Sequence, residues 1–281
     1  MAPHPPHLSH FALIFSMQPE SRSWGLYWTN LADVARRVVR EHGLKLTIYT
    51  GIQKSNPGKD YEILLDDIHN DRLAGIMFSS APFDLRGTVI LDKPGIPRVV
   101  MGNDTLYSSM GSVGLDAAGF VGKAVDYLAK KGLTSVGLLQ QPGNDTRLLR
   151  AELETAGIAC PSHFQQAVSL DHVHWAQNSM RLLFDADRRA RPQALIVMDD
   201  NLFAPGLSGV LDAGLCIPED LEILTHSNFP WQEASSVPVT RLGYDMDALL
   251  NQFIAELDSQ REGNVPQAHI LPAVFEAELV D

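Results

Sequence analysis

The feature that most constrains the fold is an alternation of short apolar, β-branched runs with longer stretches of helical periodicity. Continuous apolar runs are typical of parallel strands covered on both faces. The predicted strands span residues 11–15, 44–49, 75–78, 98–101, 135–139, 194–198 and 221–224. The predicted amphipathic helices span residues 31–42, 61–70, 119–131, 147–156 and 203–212. Strand–helix–strand units repeated this often indicate an α/β protein with doubly wound parallel sheets.

A single sheet is a poor solution for so many strands, because open twisted sheets rarely exceed about ten strands without splitting. Two Rossmann-like lobes, each with its own parallel sheet, fit the length of 281 residues better. No Pro-, Ser- or Gly-rich linker separates two independent halves of the sequence. We therefore expect intertwined lobes between which the chain crosses more than once.

The charge balance limits the possible partners. The 22 Lys and Arg residues are outnumbered by 34 Asp and Glu, and the formal net charge is −12. This balance argues against the chain holding nucleic acid by itself, because phosphate binding needs a basic face. No apolar run is long enough to span a membrane, and the first residues lack the pattern of a secretory signal. The two cysteines, Cys160 and Cys216, are predicted to be reduced and structural, which favours a cytoplasmic location.

Enzyme and cofactor motifs are missing from the sequence. It contains no GxSxG, no P-loop and no HExxH, and no glycine fingerprint follows a predicted strand. His172 and His174 could suggest a metal, but no third ligand has a sensible spacing. We expect a protein that is not an enzyme and that uses no cofactor and no metal.

The candidate binding residues lie in the loops after the predicted strands, because ligands of open α/β sheets bind at the carboxyl ends of strands. Ser16 and Trp24 follow the first strand, and the flat face of Trp24 suits the C–H side of a pyranose. Tyr27 and Trp28 lie close by, but they fit equally well as core or interface residues of the following helix.

Three stretches together resemble the regulatory domain of the LacI/GalR family. They are GIPRVVMGND at 95–104 followed by SVGLDAAGFVGKAVDYLAKKG at 112–132, PQALIVMDDNLFAPGLSGVLDAGLCIPED at 192–220, and VPVTRLGY at 237–244. The resemblance extends over residues 10–278. It implies the type I periplasmic-binding-protein fold, which has two lobes, three crossovers and a cleft between the lobes. We expect a first lobe of 10–133 plus 241–264, a second of 134–240 plus 265–281, and a disordered leader at 1–9.

The resemblance also suggests ligand contacts in two helix-opening turns. Asp116 opens a helix within a turn of the family's ligand contacts, although Asp is equally suited to be the N-cap there. Asp199 stands where the family has an Asn that reaches the effector. A carboxylate there can accept two hydroxyl hydrogen bonds. We expect Asp200, the next residue, to be the helix cap.

Three further candidates come from the same resemblance, and the first two lie where this sequence departs from the family. Gly143 stands at the place of a ligand-binding Arg, and Arg147, one helical turn later, is the nearby substitute or else an ordinary solvated side chain. Ser227, in a predicted loop at 225–230, replaces the family's ligand carboxylate, with His226, Asn228 and Trp231 as neighbours. Trp175 lies in a region where an aromatic residue often closes the cleft.

The function that these features predict is effector sensing. A small polar ligand, with a sugar or related polyol favoured, would bind between the lobes of a homodimer. Operator DNA would be contacted only through an N-terminal helix-turn-helix head, which we do not find ahead of this region in the sequence. The alternative is a periplasmic sugar-binding protein of an ABC transporter, which would share the fold and act as a monomer.

Overall fold

The computed structural model describes residues 9–22, 24–102, 109–185, 191–230 and 234–279. The chain forms two compact units. Unit 1 comprises the described parts of Met1–Leu115 and Met246–Leu271, and unit 2 those of Asp116–Asp245 and Pro272–Asp281. The chain therefore passes from one unit to the other at three points. The predicted leader at 1–9 lies, apart from residue 9, outside the described residues.

Twelve strands and eight α-helices lie along the described residues. The strands are β1 His10–Ile14, β2 Lys45–Tyr49, β3 Gly75–Phe78, β4 Arg98–Met101, β5 Gly111–Leu115, β6 Val136–Gln140, β7 Gln165–Ala167, β8 Ala194–Val197, β9 Glu222–Phe229, β10 Thr240–Asp245, β11 Ala268–Leu271 and β12 Val274–Phe275. The helices are α1 Leu26–Glu41, α2 Lys59–His69, α3 Val89–Asp92, α4 Ala117–Lys130, α5 Arg147–Thr155, α6 His174–Phe184, α7 Phe203–Asp212 and α8 Met246–Arg261.

Unit 1 is built on a six-stranded sheet in the order β11-β5-β4-β3-β1-β2, and all of its strand pairs are parallel. An apolar cluster that includes Ile14, Ile76 and Phe78 packs under α2 and α3. Buried Arg98 of β4 donates to the carbonyl oxygens of Ile90 at 2.8 Å and Ile96 at 2.7 Å. This arrangement satisfies backbone acceptors around α3 that would otherwise be buried without partners.

Unit 2 has a second six-stranded sheet, in the order β12-β10-β9-β8-β6-β7. Its strand pairs are parallel except β10–β12, which is antiparallel. Alternate residues of β9 face opposite sides of the sheet. Glu222 faces α4, where its carboxylate accepts from Tyr127 at 2.5 Å and Lys131 at 2.6 Å. Ile223 faces the apolar cluster formed with α6 and α7.

The predicted α/β class with two parallel sheets is confirmed, and each predicted strand and helix corresponds to an observed element. One prediction about an element is wrong. Residues 225–229, predicted as a loop, continue β9 as far as Phe229, because β10 pairs with this part of the chain up to Asp245. The polar sequence THSN belongs to a strand that pairs with β10 along its length, whereas its pairing with β8 ends at Thr225.

The chain crosses between the two units at positions that differ from the expected lobe boundaries. Helix α4, expected in the first lobe, packs on the sheet of unit 2 through Phe120 and Tyr127. Strand β10 pairs with β9 of unit 2, and β11 completes the sheet of unit 1 by pairing with β5. The physical reason is strand pairing: the unit to which a segment belongs is set by hydrogen bonds to strands that are distant in sequence.

Candidate functional site

A group of polar side chains occupies the carboxyl edge of the unit 2 sheet, and we call it the polar corner. Its members come from the ends of β6, β8 and β9 and from the turn that opens α7. The polar corner consists of Gln141, Asp199, Asp200, Asn201, His226 and Asn228. Parallel strands bring these residues together because their carboxyl ends meet at one edge of the sheet.

Asp199 is the N-cap of the short 3-10 turn Asp200–Leu202 that leads into α7. Its Oδ1 accepts from the backbone nitrogen of Asn201 at 2.9 Å and from the side-chain amide of Asn201 at 2.8 Å. The side-chain amide of Gln141 donates to its other oxygen. The prediction that Asp200 is the cap is wrong. Asp199 caps the turn because its backbone is extended at φ −150°, the conformation that a cap residue adopts.

Asp200 points instead toward β9. Its carboxylate accepts from the side-chain amide of Asn228 at 2.7 Å, and Asn228 itself is buried, with 2% of its surface exposed. Burial raises the pKa of Asp200, while the neighbouring His226 and the hydrogen bond from Asn228 act in the opposite direction. The hydrogen bond from Asn228 fixes the orientation of the Asp200 carboxylate, which can still accept further hydrogen bonds.

His226 lies within a cluster of three rings. Its ring centroid is 5.7 Å from that of Phe120 and 5.9 Å from that of Tyr244. Burial lowers the pKa of His226, against the opposing charges of Asp200 and Asp199, so the imidazole is neutral near pH 7. Burial raises the pKa of Tyr244 to about 12, and the carboxylate of Asp116 contributes to this shift.

Two buried polar atoms of this region have no hydrogen-bond partner among the residues that the structure describes. They are Nδ1 of His226 and the side-chain oxygen of Gln140, the last residue of β6. Buried polar groups in native proteins are almost always paired with protein, water or ligand. The two atoms therefore make this edge of the sheet a candidate binding site for a polar molecule.

The predicted residues of unit 2 separate into two groups. Asp199 belongs to the polar corner, and Asp116 lies close enough to act on Tyr244, although Asp116 also caps α4 by accepting from the backbone nitrogen of Gly119 at 2.8 Å. Ser227 is 5% exposed and lies within β9. Because strand residues alternate, Ser227 faces the sheet side opposite to His226 and Asn228.

Arg147 and Trp175 are not part of the polar corner. Arg147 has a 91% exposed side chain and is held by Asp145 of its own loop at 2.6 Å. Trp175 stands in the first turn of α6 and is 55% exposed. In the sequence, His226 and Asn228 stand out only as neighbours of Ser227, because the true length of β9 is needed to see which face each residue occupies. Trp231 lies outside the described residues.

In unit 1 the predicted residues lie after β1. The ring of Trp24 is 5.0 Å from that of Phe15, and its indole nitrogen donates to Thr29 at 3.0 Å. The alternative assignment of Tyr27 to the core fits its surroundings, since its hydroxyl donates to Met101 and burial raises its pKa. Ser16 lines a separate cavity of about 210 Å³ at the carboxyl edge of this sheet.

In the described parts of the chain, no group of three or more His, Cys, Asp or Glu is placed so that it could hold a metal ion. No helix there is both long and apolar enough to cross a membrane. Cys160 and Cys216 are free, and Cys216 is exposed rather than structural.

Comparison of the sequence with known families decides the assignment. The profile of the family described as "Periplasmic binding protein-like domain" matches residues 125–276, more than half of the chain. The chain belongs to this periplasmic binding protein-like family. A curated relative in sequence is catabolite control protein A of Staphylococcus epidermidis, 24% identical over 178 residues, which cover 62% of this chain and 53% of the relative. The chain thus spans about half the length of that relative.

Solved structures agree with the family's fold. A regulatory protein of the LacI family from Chloroflexus aggregans matches with a TM-score of 0.74 at 16% identity, covering 95% of this chain and 96% of that one. A transcriptional regulator CelR in complex with cellobiose matches with a TM-score of 0.70 at 17% identity, covering 95% and 83%. The resemblance to LacI/GalR effector domains is therefore confirmed at the level of the periplasmic binding protein-like fold.

Proposed function

We propose that this chain is the effector-sensing domain of a LacI/GalR-type transcriptional regulator. It binds a small polar ligand, with a sugar or related polyol favoured, at the carboxyl edges of its two units. The observation that carries the proposal is the polar corner together with two buried atoms at the same sheet edge, Nδ1 of His226 and the side-chain oxygen of Gln140, which have no hydrogen-bond partner among the described residues. Such a regulator acts in the cytoplasm.

The chemistry of the polar corner favours hydroxyl groups. Asp199, Asp200 and the side-chain oxygen of Gln140 are acceptors, and sugar hydroxyls are donors that also accept. A site whose side chains are mainly acceptors suits hydroxyl donors better than a phosphate or carboxylate ligand, which brings only acceptors. The rings of Phe120 and Tyr244, each at most 5% exposed, pack against His226, so the polar corner adjoins apolar aromatic groups. The cellobiose complex of the structurally similar CelR supports a sugar as the ligand class.

Signalling follows from differential binding. A ligand that contacts groups of both lobes favours a closed arrangement only as far as it binds that arrangement more tightly. In a two-fold dimer, this shift would move an attached DNA-binding head relative to its operator half-sites. The homodimer, the head and the operator are parts of the proposal.

A thermal-shift panel of pentoses, hexoses, disaccharides, polyols and nucleobases tests the proposal. A ligand present at about 100 times its Kd stabilises the folded state by about 2.7 kcal/mol, so a true effector gives a clear rise in Tm. We expect a sugar or polyol to give that rise. If only nucleobases stabilise the chain, or nothing in the panel does, the proposed ligand class is wrong.

Variants of the polar corner identify the contacts. Asp200→Asn and Asp199→Ala are expected to reduce the ligand-induced rise in Tm while the ligand-free protein stays folded. Asp171→Asn is the matched control, because Asp171 is an exposed carboxylate of the same unit. A rise in Tm that is equal in all three variants would remove the polar corner from the site.

A further inference from the structure

The polar corner of unit 2 presents unused hydrogen-bond acceptors. The side-chain oxygen of Gln140 and Nδ1 of His226 are buried and have no hydrogen-bond partner in the parts of the chain that the structure describes. The oxygen can only accept, and Nδ1 of a neutral imidazole accepts when the ring proton is on Nε2. The carboxylate of Asp200 adds lone pairs beyond those that Asn201 and Asn228 occupy. A ligand group that fits here must therefore supply donors.

These acceptors face the same side of the sheet. Leu139 belongs to the apolar cluster formed with α6 and α7, so Gln140, the next residue of β6, faces the opposite side. His226 also faces that opposite side, since its ring lies against Phe120 of α4. Asp200 is close enough to His226 for the charge of each to act on the other. The unused acceptors therefore lie on one face of the sheet, with an acidic group beside them.

The acidic groups of the polar corner have no basic partner among the described residues. Asp199 and Asp200 accept hydrogen bonds from side-chain amides and backbone nitrogen there, and neither forms an ion pair. Arg147, which follows β6, pairs with Asp145 and has a 91% exposed side chain. His226 supplies no charge near pH 7, because burial lowers its pKa. The polar corner therefore has acidic groups that no cation of this part of the chain balances.

The environment of Asp200 shows the consequence of this imbalance. Burial raises the pKa of Asp200, and the charge of Asp199 acts in the same direction. Burying a carboxylate is costly unless an opposite charge or hydrogen bonds compensate for the lost water. A cation beside the carboxyl group would favour its ionised form and so oppose both effects. A positively charged ligand group is thus the kind that the surroundings of Asp200 favour.

We propose that the polar corner binds a protonated amino group, and that the effector is an amino sugar or an amino polyol. An ammonium group brings three donors, a positive charge and no acceptor, which matches the unused acceptors and the unbalanced carboxyl groups. Asp200 pairs with the ammonium group, and Nδ1 of His226 and the oxygen of Gln140 accept from it or from hydroxyls beside it. The inference rests on the proposed function and narrows its ligand class. It requires contacts from unit 2 alone.

Isothermal titration calorimetry of the full chain with matched pairs of ligands tests the charge. The pairs are glucosamine with glucose, galactosamine with galactose, mannosamine with mannose, and serinol with glycerol. We expect an amine to bind about tenfold more tightly than its neutral partner, because hydrogen bonds to charged groups are stronger than those between neutral groups. N-acetylation of that amine, which removes the charge, is expected to abolish the preference. Neutral partners that bind as tightly as the amines overturn the proposal.

A variant tests whether the polar corner is responsible for the preference. Asp200→Asn keeps the shape of the side chain and removes its charge, so we expect the preference for the amine over its neutral partner to be lost. Asp171→Asn is the matched control, because Asp171 is an exposed carboxylate of the same unit. Both variants change the net charge of −12 equally, so general attraction of cations is the same in both. An equal preference in the two variants overturns the proposal.

These outcomes separate the inference from the proposed function. The matched pairs are measured on the unmodified chain, so they decide the question even if Asp200→Asn does not fold. If a neutral sugar raises the Tm in the thermal-shift panel and no amine binds more tightly than its partner, the charge assignment is wrong and the sensing function stands. If neither series binds and the panel gives no rise in Tm, both proposals fail.

Discussion

Asp199 and Asp200 are adjacent carboxylates with different surroundings. Asp199 turns toward the backbone of its own 3-10 turn, while Asp200 reaches across to Asn228 of the neighbouring strand. The difference follows from backbone conformation, because Asp199 is extended whereas Asp200 begins the 3-10 turn. Burial raises the pKa of Asp200, and this perturbation makes Asp200 a candidate for contact with a ligand in the proposed function.

The buried imidazole of His226 gives a prediction about pH. Because burial lowers its pKa, the unfolded chain takes up a proton below about pH 6.5 that the folded chain does not. Stability should therefore fall as the pH drops below that value, by at most about 1.4 kcal/mol per pH unit. Urea unfolding at several pH values between 7.5 and 5.5 measures this slope.

Asp200 also contributes to the pH dependence of stability in this range. A pair of variants separates its contribution from that of His226. The raised pKa of Asp200 has the opposite sign, since the folded carboxyl takes up its proton first and gains stability as the pH falls. The comparison is therefore made between Asp200→Asn and the double variant Asp200→Asn/His226→Gln. We expect the acid slope to be smaller in the double variant. Parallel curves would mean that His226 titrates alike in the folded and unfolded chain.

At the scale of elements, β9 and β10 approach unusually closely. A Cβ atom at Gly243 of β10 would lie 1.7 Å from the backbone oxygen of Ser227 in β9. Backbone atoms cannot move aside as a flexible side chain can, so position 243 requires glycine. The close approach holds the strand that carries His226 and Asn228 against its neighbour.

Two glycine-to-alanine substitutions in unit 2 should therefore have opposite effects. Gly243→Ala is expected to destabilise the protein by about 2 kcal/mol or more, because the added methyl group overlaps backbone. Gly122→Ala, in α4 with nothing within 4 Å of the added carbon, is expected to stabilise it by about 0.5–1 kcal/mol. Chemical denaturation of both variants measures the difference. A neutral Gly243→Ala would show that the two strands can separate at no cost.

The elements that sequence alone predicts are those with a strong apolar signal. The runs at 75–78 and 98–101 were predicted with the boundaries that β3 and β4 have, since parallel strands covered on both faces must be apolar throughout. Strand β10, with the sequence TRLGYD, gave no such signal, and neither did the second half of β9. Those strands are defined by pairing with distant segments, which a local pattern does not contain.

The candidate site was predictable only in part for the same reason. The turn after β8 was found because an Asp-Asp-Asn sequence at a helix start is visible in one window of sequence. Which carboxylate caps and which faces β9 depends on backbone geometry. The choice between Ser227 and its neighbours depended on a strand register, and a shift of one residue exchanges the two faces of a strand.

For the whole molecule, the proposed regulator predicts a dimer in solution. Light scattering at micromolar concentration should give a mass of twice the 30.9 kDa of the chain. Two-fold operators require two heads, and a dimer supplies them. A mass of one chain, independent of concentration and of ligand, would favour the carrier protein of a transport system instead. The coding sequence upstream gives a second criterion, since it would contain a helix-turn-helix in one case and an export signal in the other.

The three passages of the chain between the units also bear on how the protein is made. Strand β11 at Ala268–Leu271 and strand β12 at Val274–Phe275 are contributed to different sheets within eight residues of each other. While the ribosome is still adding these residues, β5 and β10 each have an unpaired edge, and unpaired edges invite contact with other nascent chains. Both units therefore complete their sheets at almost the same moment of translation. Neither unit can finish folding as an independent domain before the other.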